Sequence, residues 1–266
     1  MTDRIRIEFD AHVAMVTLDR AAKRNAVDEA MFEAIIETAD RLRDDKSLRC
    51  VVLTGEGAHF CAGIDISVFQ GAGIAGTAGD RMAPRPGSTA NFFQAAALAW
   101  RELPVPVIAA LRGTVFGAGL QIAAGADLRV AAPDVALSIM EVRWGIIPDM
   151  GVTTTLRHLV REDRLRELAY SGRVVDGATA LEAGLVTELA ADPLARAQEI
   201  AASIAEKSPD AIRAMKKLFN ESLTGDPAVA LRLEADLQSQ LMGGANQREA
   251  ALANLEKREP DFSDPE

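Results

Sequence analysis

Glu141 stands in an apolar setting, preceded by Ile139 and Met140 and followed by Val142, Trp144, Ile146 and Ile147. A carboxyl group buried in such surroundings keeps its proton to higher pH than one in water, which suits it to take and return protons near neutrality. The plainer alternative is a surface glutamate on a strand–helix connection. Asp149, past Pro148, has the local pattern of an N-cap ahead of a helix over residues 151–159. Two glycine-bearing turns are the other candidates for chemistry. Phe60-Cys61-Ala62-Gly63-Ile64-Asp65 follows one short apolar run; Gly113-Thr114-Val115-Phe116-Gly117-Ala118-Gly119 follows another and opens the alanine-rich stretch 120–126. Small residues let backbone N–H groups approach a ligand closely, and a helix start adds positive dipole. Two N–H groups converging from separate turns make an oxyanion hole. Taken singly, each is equally a tight β/α turn.

The elements that would position these groups follow from periodicity. Residues 5–9 and 13–18 read as two strands around a tight turn. Met31, Ala34, Ile35, Ala39 and Leu42 recur at helical spacing after Asp28, an expected N-cap. Residues 51–54, 105–111, 128–131 and 136–139 are short buried strands alternating with helical stretches, which indicates an α/β fold. From about residue 195 strand patterns vanish. Helices are expected over 193–207, 209–223, 227–242 and 247–257, with prolines at their starts and glycines between them. The expected division is therefore 1–195 for the core and 196–266 for a helical C-terminal segment. Residues 71–90, rich in Gly, Ala and Pro, read as a long loop of the kind that covers an active site. Gly71, Gly73 and Gly76 match a dinucleotide-binding pattern, but no strand precedes them and Pro84 and Pro86 follow, so that reading is rejected.

The 266 residues carry a net charge of −10, which argues against nucleic acid as a partner. No run is long enough to span a bilayer, and the first residues lack the apolar stretch of a secretory signal, so a cytoplasmic protein is expected. Cys50 and Cys61 fit no zinc spacing and are expected to be buried, reduced thiols, with no metal site. The three histidines form no Ser-His-Asp order, although His59 flanks the first turn.

Taken together and in order, six segments resemble the crotonase superfamily, the enoyl-CoA hydratase/isomerase family. They are Lys23-Arg24-Asn25-Ala26, residues 60–65, 113–127, 141–151 and 171–186, and Leu255-Glu256-Lys257-Arg258 with Pro260 and Phe262. The resemblance implies a spiral of ββα units followed by an all-helical trimerisation segment, in a homotrimer or dimer of trimers. It implies an acyl-CoA thioester as substrate and no separate cofactor, coenzyme A being part of the substrate. Carried onto this chain, the oxyanion donors are the backbone amides of Ile64 and Ala118, and Glu141 is the acid/base. Lys23, Arg24, Ala26, Ala62 and Lys257 are the implied coenzyme A contacts, Lys257 or Arg258 reaching its 3′-phosphate. Phe69, Phe92, Phe93 and Trp100 are expected at the acyl end.

Gln121 is the departure that matters. Hydratases of the family carry a glutamate there and use two carboxylates to hold and split water. An amide orients water but carries no proton at neutral pH. Asp149 matches an aspartate of the family's dienoyl-CoA isomerases, which have an acid in place of Gln121 as well. The expectation is enoyl-CoA double-bond isomerisation through Glu141. The alternatives are hydration of 2-trans-enoyl-CoA with Asp149 or Gln121 placing the water, or a non-catalytic acyl-CoA-binding protein.

Overall fold

The structure is a computed structural model that describes residues 3–69, 81–222 and 225–265. Alternating apolar residues make β1 (Ile5–Asp10), which pairs antiparallel with β2 (Val13–Leu18), Ile5 lying opposite Leu18 and Asp10 opposite Val13. Every further pairing in this sheet is parallel. It adds β3 (Cys50–Gly55), β4 (Val107–Leu111), β6 (Leu128–Ala131) and β8 (Glu188–Leu189), in the order β1-β2-β3-β4-β6-β8. β3 and β4 are buried throughout, as expected of parallel strands covered on both faces. A small second sheet pairs β5 (Thr114–Phe116) with β7 (Ala136–Ser138) in parallel.

One face of the main sheet packs under α1 (Glu29–Arg43) and α2 (Phe92–Glu102), which lie against each other. Asp28 caps α1 as the sequence predicts, its carboxylate accepting from Met31 N at 2.9 Å. Asn91 and Gln94 cap α2 reciprocally. The chain continues through α3 (Ala118–Ala124), α4 (Val152–Thr155), α5 (Glu162–Ser171) and α6 (Gly177–Ala183). The helix expected over 151–159 is a single turn. Gly151, at φ 90°, is its N-cap with no side-chain bond, so Asp149 does not cap it.

The C-terminal helices are α7 (Pro193–Ala205), α8 (Pro209–Ser222), α9 (Pro227–Leu241) and α10 (Ala245–Glu256). The boundary expected at residue 195 falls inside α7. That helix covers the sheet's second face, packing Ala197 and Ala201 on Cys50, Val52, Ile108, Ala110 and Val130. α8 is hooked to the core by polar contacts. Buried Lys216 pairs with Asp127, and Arg213 donates to the carbonyls of Asp45 and Leu48, both at 3.0 Å. α9 and α10 leave Val229, Leu231 and Leu255 exposed, Leu255 at 83%. Among the described residues no helix is long and apolar enough to cross a membrane. Both cysteines are free and buried.

Candidate active site

The first turn is built on the loop before α1. Arg24 and Asn25 both take left-handed backbone, φ 51° and 55°. Asparagine visits this conformation more readily than most residues, and here its side chain is held by the surrounding backbone. Its amide nitrogen donates to the carbonyls of Glu56 at 3.0 Å and His59 at 2.8 Å, and its oxygen accepts from Arg20 N at 2.9 Å. Ala62 N donates to Arg24 O, Val27 N to Gly63 O and Asp65 N to Val27 O. Arg20 bonds the Asp65 carboxylate at 2.7 Å. The Ser67 N–H, then Arg20, hold that carboxyl down at about 2.

The two turns are zipped together. Phe60 N donates to Arg112 O at 2.9 Å, Cys61 N to Thr114 O at 3.1 Å and Phe116 N to Cys61 O at 3.0 Å. Gly63 has φ 95°, and a Cβ there would lie 2.8 Å from Phe116 O and 3.9 Å from Ala118 N. Glycine is what lets the second turn pass this close. Neither the Ile64 nor the Ala118 N–H has a backbone acceptor among the described residues. The Cys61 thiol, pushed up to about 12 by burial, is no nucleophile; it bonds Asn25 O at 3.1 Å.

Gln121 lies one turn along α3 from Ala118, on the same face. Only 2% exposed, it is held at both ends. Its oxygen accepts from Met150 N at 2.8 Å, and its nitrogen donates to Glu141 Oε1 at 2.7 Å. Glu141 follows β7 at the start of the short 3₁₀ turn Glu141–Trp144 and is 6% exposed. Its Oε2 is buried, with no hydrogen-bond partner among the described residues. Burial raises its pKa, its own N–H and Gln121 oppose that, and the charge of Asp149 raises it again. Burial likewise raises Asp149.

These groups line one cavity of about 530 Å³. Ile64 and Ala118 stand on its wall with Gln121, Glu141 and Asp149, and the rest is apolar, including Phe32, Phe93 and Met82. Of the aromatic residues expected at the acyl end, Phe93 lines the cavity, whereas Trp100 is fully buried in the core. Phe92 packs edge-on against Phe93 behind it. The Phe69 side chain, and residues 71–80 of the expected covering loop, lie outside the described residues.

Lys23 and Arg24 are exposed on the loop that braces the first turn, with Ala26 and Ala62 beside them in the same backbone network. Lys257, in left-handed backbone at the end of α10, makes no hydrogen bond or ion pair with that loop among the described residues. Two features escaped the sequence reading. Met150 N anchors Gln121, a backbone role without a residue signature, and His59 Nδ1 accepts from Thr114 N at 3.1 Å.

Residues 8–265 match the family model described as enoyl-CoA hydratase/isomerase. The chain belongs to this family. As a hydratase/isomerase family member it is an enzyme of enoyl-CoA chemistry. Enoyl-CoA hydratase EchA19 of Mycobacterium tuberculosis is 30% identical over 258 residues, covering 96% of this chain and 95% of that one. The solved enoyl-CoA hydratase of Bacillus anthracis superposes with a TM-score of 0.89 at 28% identity, covering 97% and 98% of the two chains. That of Polaromonas sp. JS666 gives 0.87 at 28% identity, covering 97% and 99%. The crotonase fold expected from the resemblance, including its helical C-terminal segment, is the fold this hydratase/isomerase family chain has.

Proposed function

We propose that this enzyme moves the double bond of an enoyl-CoA thioester, with Glu141 carrying the proton and the amides of Ile64 and Ala118 binding the thioester oxygen. In a 3-enoyl thioester, Glu141 Oε2 takes a proton from C2. The electron pair moves onto the thioester oxygen, which the two N–H groups stabilise as a dienolate. The proton returns at C4, leaving the double bond between C2 and C3. Donors fixed in advance are worth most where charge develops, about 3–4 kcal/mol for one such bond. No metal or separate cofactor is needed, since the proton carrier is a side chain and the oxyanion donors are amides.

One observation carries this reading. Glu141 lines the cavity that Ile64 and Ala118 also line, with one carboxylate oxygen held by Gln121 and the other buried with no hydrogen-bond partner among the described residues. The group in contact with Glu141 is an amide, so the second proton carrier that water addition requires is missing from that position.

Hydration of 2-trans-enoyl-CoA is the second reading. It is favoured by Asp149 on the same cavity and by relatives named as hydratases. Incubation with 2-enoyl-, 3-enoyl- and 2,5-dienoyl-CoA separates the two, since hydration adds the mass of water and isomerisation changes only the ultraviolet spectrum. A hydrated product formed faster than any isomer would overturn the first reading. Lys23, Arg24, Ala26 and Ala62 are the proposed coenzyme A contacts. Lys257 would reach coenzyme A in a homotrimer or dimer of trimers, an assembly supported by the apolar side chains left exposed on α8, α9 and α10, among them Phe219, Val229 and Leu255. Two buried, reduced thiols suit a cytoplasmic setting.

A further inference from the structure

The geometry points to His59 as a positioning residue, whose imidazole Nδ1 holds the second amide-bearing turn against the first. This rests on the reading that the amides of Ile64 and Ala118 bind the thioester oxygen. The ring stands where β4 turns into β5. Arg112 O, one residue past β4, accepts from Phe60 N, and Thr114 N, the first amide of β5, donates to His59 Nδ1 at 3.1 Å. Thr114 Oγ1 lies 3.2 Å from the same nitrogen. Between them Gly113 passes with φ 58°, so close that a Cβ would lie 2.2 Å from Ala58 O and 2.5 Å from Nδ1. The Asn25 side chain fixes the His59 carbonyl at 2.8 Å, anchoring the ring's own backbone to the 20–28 loop. The ring thus joins a braced segment to the strand that leads, through Phe116 and Gly117, to the amide of Ala118.

A backbone N–H can only donate, so Nδ1 is the bare nitrogen and the ring proton sits on Nε2. Protonating Nδ1 would set two donors against each other and leave the Thr114 amide without its acceptor. The charged residues around the ring oppose or ignore such a proton. Burial, then the charge of Arg24, lowers the histidine below its ordinary value. Glu56 is drawn away by Arg6 at 2.7 Å, and Arg112 donates to Gly55 O at 3.1 Å. The neutral ring is therefore the working form at pH 7. The clamp loosens only as pH falls below the free-histidine range.

Asparagine is the informative substitution, because its Oδ1 falls near the position of Nδ1 and does not titrate. Full-length wild type, His59→Asn and His59→Leu would be titrated with acetoacetyl-CoA, following its enolate absorbance, from pH 8 down to about 5. At pH 8, His59→Asn should bind within about twofold of wild type and His59→Leu about tenfold more weakly. Towards pH 5 wild type should weaken about tenfold relative to His59→Asn. A constant ratio of wild type to His59→Asn across this range overturns the inference, even if His59→Leu proves too unstable to measure. So does a well-folded His59→Leu with unchanged affinity. Absence of enolate in wild type at pH 8 overturns the oxyanion reading itself, and the inference with it.

Discussion

Gln121→Glu should turn the balance from isomerisation towards hydration. The new carboxylate would face Glu141 Oε1 across the 2.7 Å now bridged by the amide N–H. With charge centres about 4 Å apart and an effective dielectric constant of about 20, two ionised groups repel by about 4 kcal/mol, a roughly thousandfold preference for keeping one proton between them. Met150 N–H would remain on one oxygen of residue 121 and favour its ionised form. The shared proton would then rest mainly on Glu141, whose burial already favours the neutral form. One group can then accept a proton from water while the other delivers one to C2. The assay is the ratio of hydrated to isomerised product, with crotonyl-CoA and a 3-enoyl-CoA as substrates, in wild type and variant. A second proton carrier is typically worth about a hundredfold or more. The variant should also lose thermal stability relative to wild type as pH rises through the raised value of the pair, because a second buried charge must then form. A wild type that already hydrates crotonyl-CoA rapidly, with no gain in the variant, would refute the reasoning.

Glu141→Gln should lower turnover by about a thousandfold or more while acetoacetyl-CoA binding persists, because shape and the bond from Gln121 remain. Because burial raises Glu141, its ionisation costs stability as pH climbs through that raised value, so the melting temperature of the variant should gain on wild type over the same pH range. Asp149→Asn removes a charge that raises Glu141 and should move the acid limb of the kcat/KM profile to lower pH. Gly63→Ala should cost about 2 kcal/mol or more in urea unfolding and weaken enolate binding, since its Cβ meets Phe116 O from a left-handed backbone. A chain ending at residue 207 keeps α7 on the sheet but loses α8 to α10; sedimentation should find it monomeric or aggregated.

Much of this was readable from residue types. The capping aspartate at 28 acts through a local bond and the prolines opening α7, α8 and α9 through their fixed φ, so the sequence near them suffices. The glycine turns were readable as turns, because only a residue without a side chain fits where Gly63 faces Phe116 O. What escaped depends on distant partners. Asp149 resembles a helix cap until the helix is seen to start after Gly151. Gln121 resembles a free water-binding amide until its oxygen is found on Met150 N, 29 residues away. The role of the helix around residue 195 is hard to read for a related reason. An amphipathic helix rich in alanine has the same pattern whether it covers its own sheet, as α7 does, or another subunit.

The grip of Met150 N–H on Gln121 has an evolutionary corollary. A backbone donor binds an amide oxygen or a carboxylate oxygen equally well in geometry, so the cradle around position 121 needs no rebuilding when that residue changes between glutamine and glutamate. The codons of the two residues differ only in their first base. A lineage with this architecture therefore stands a single nucleotide substitution from a two-carboxylate site, and the helix, the turns and the cavity can be inherited unchanged across that step.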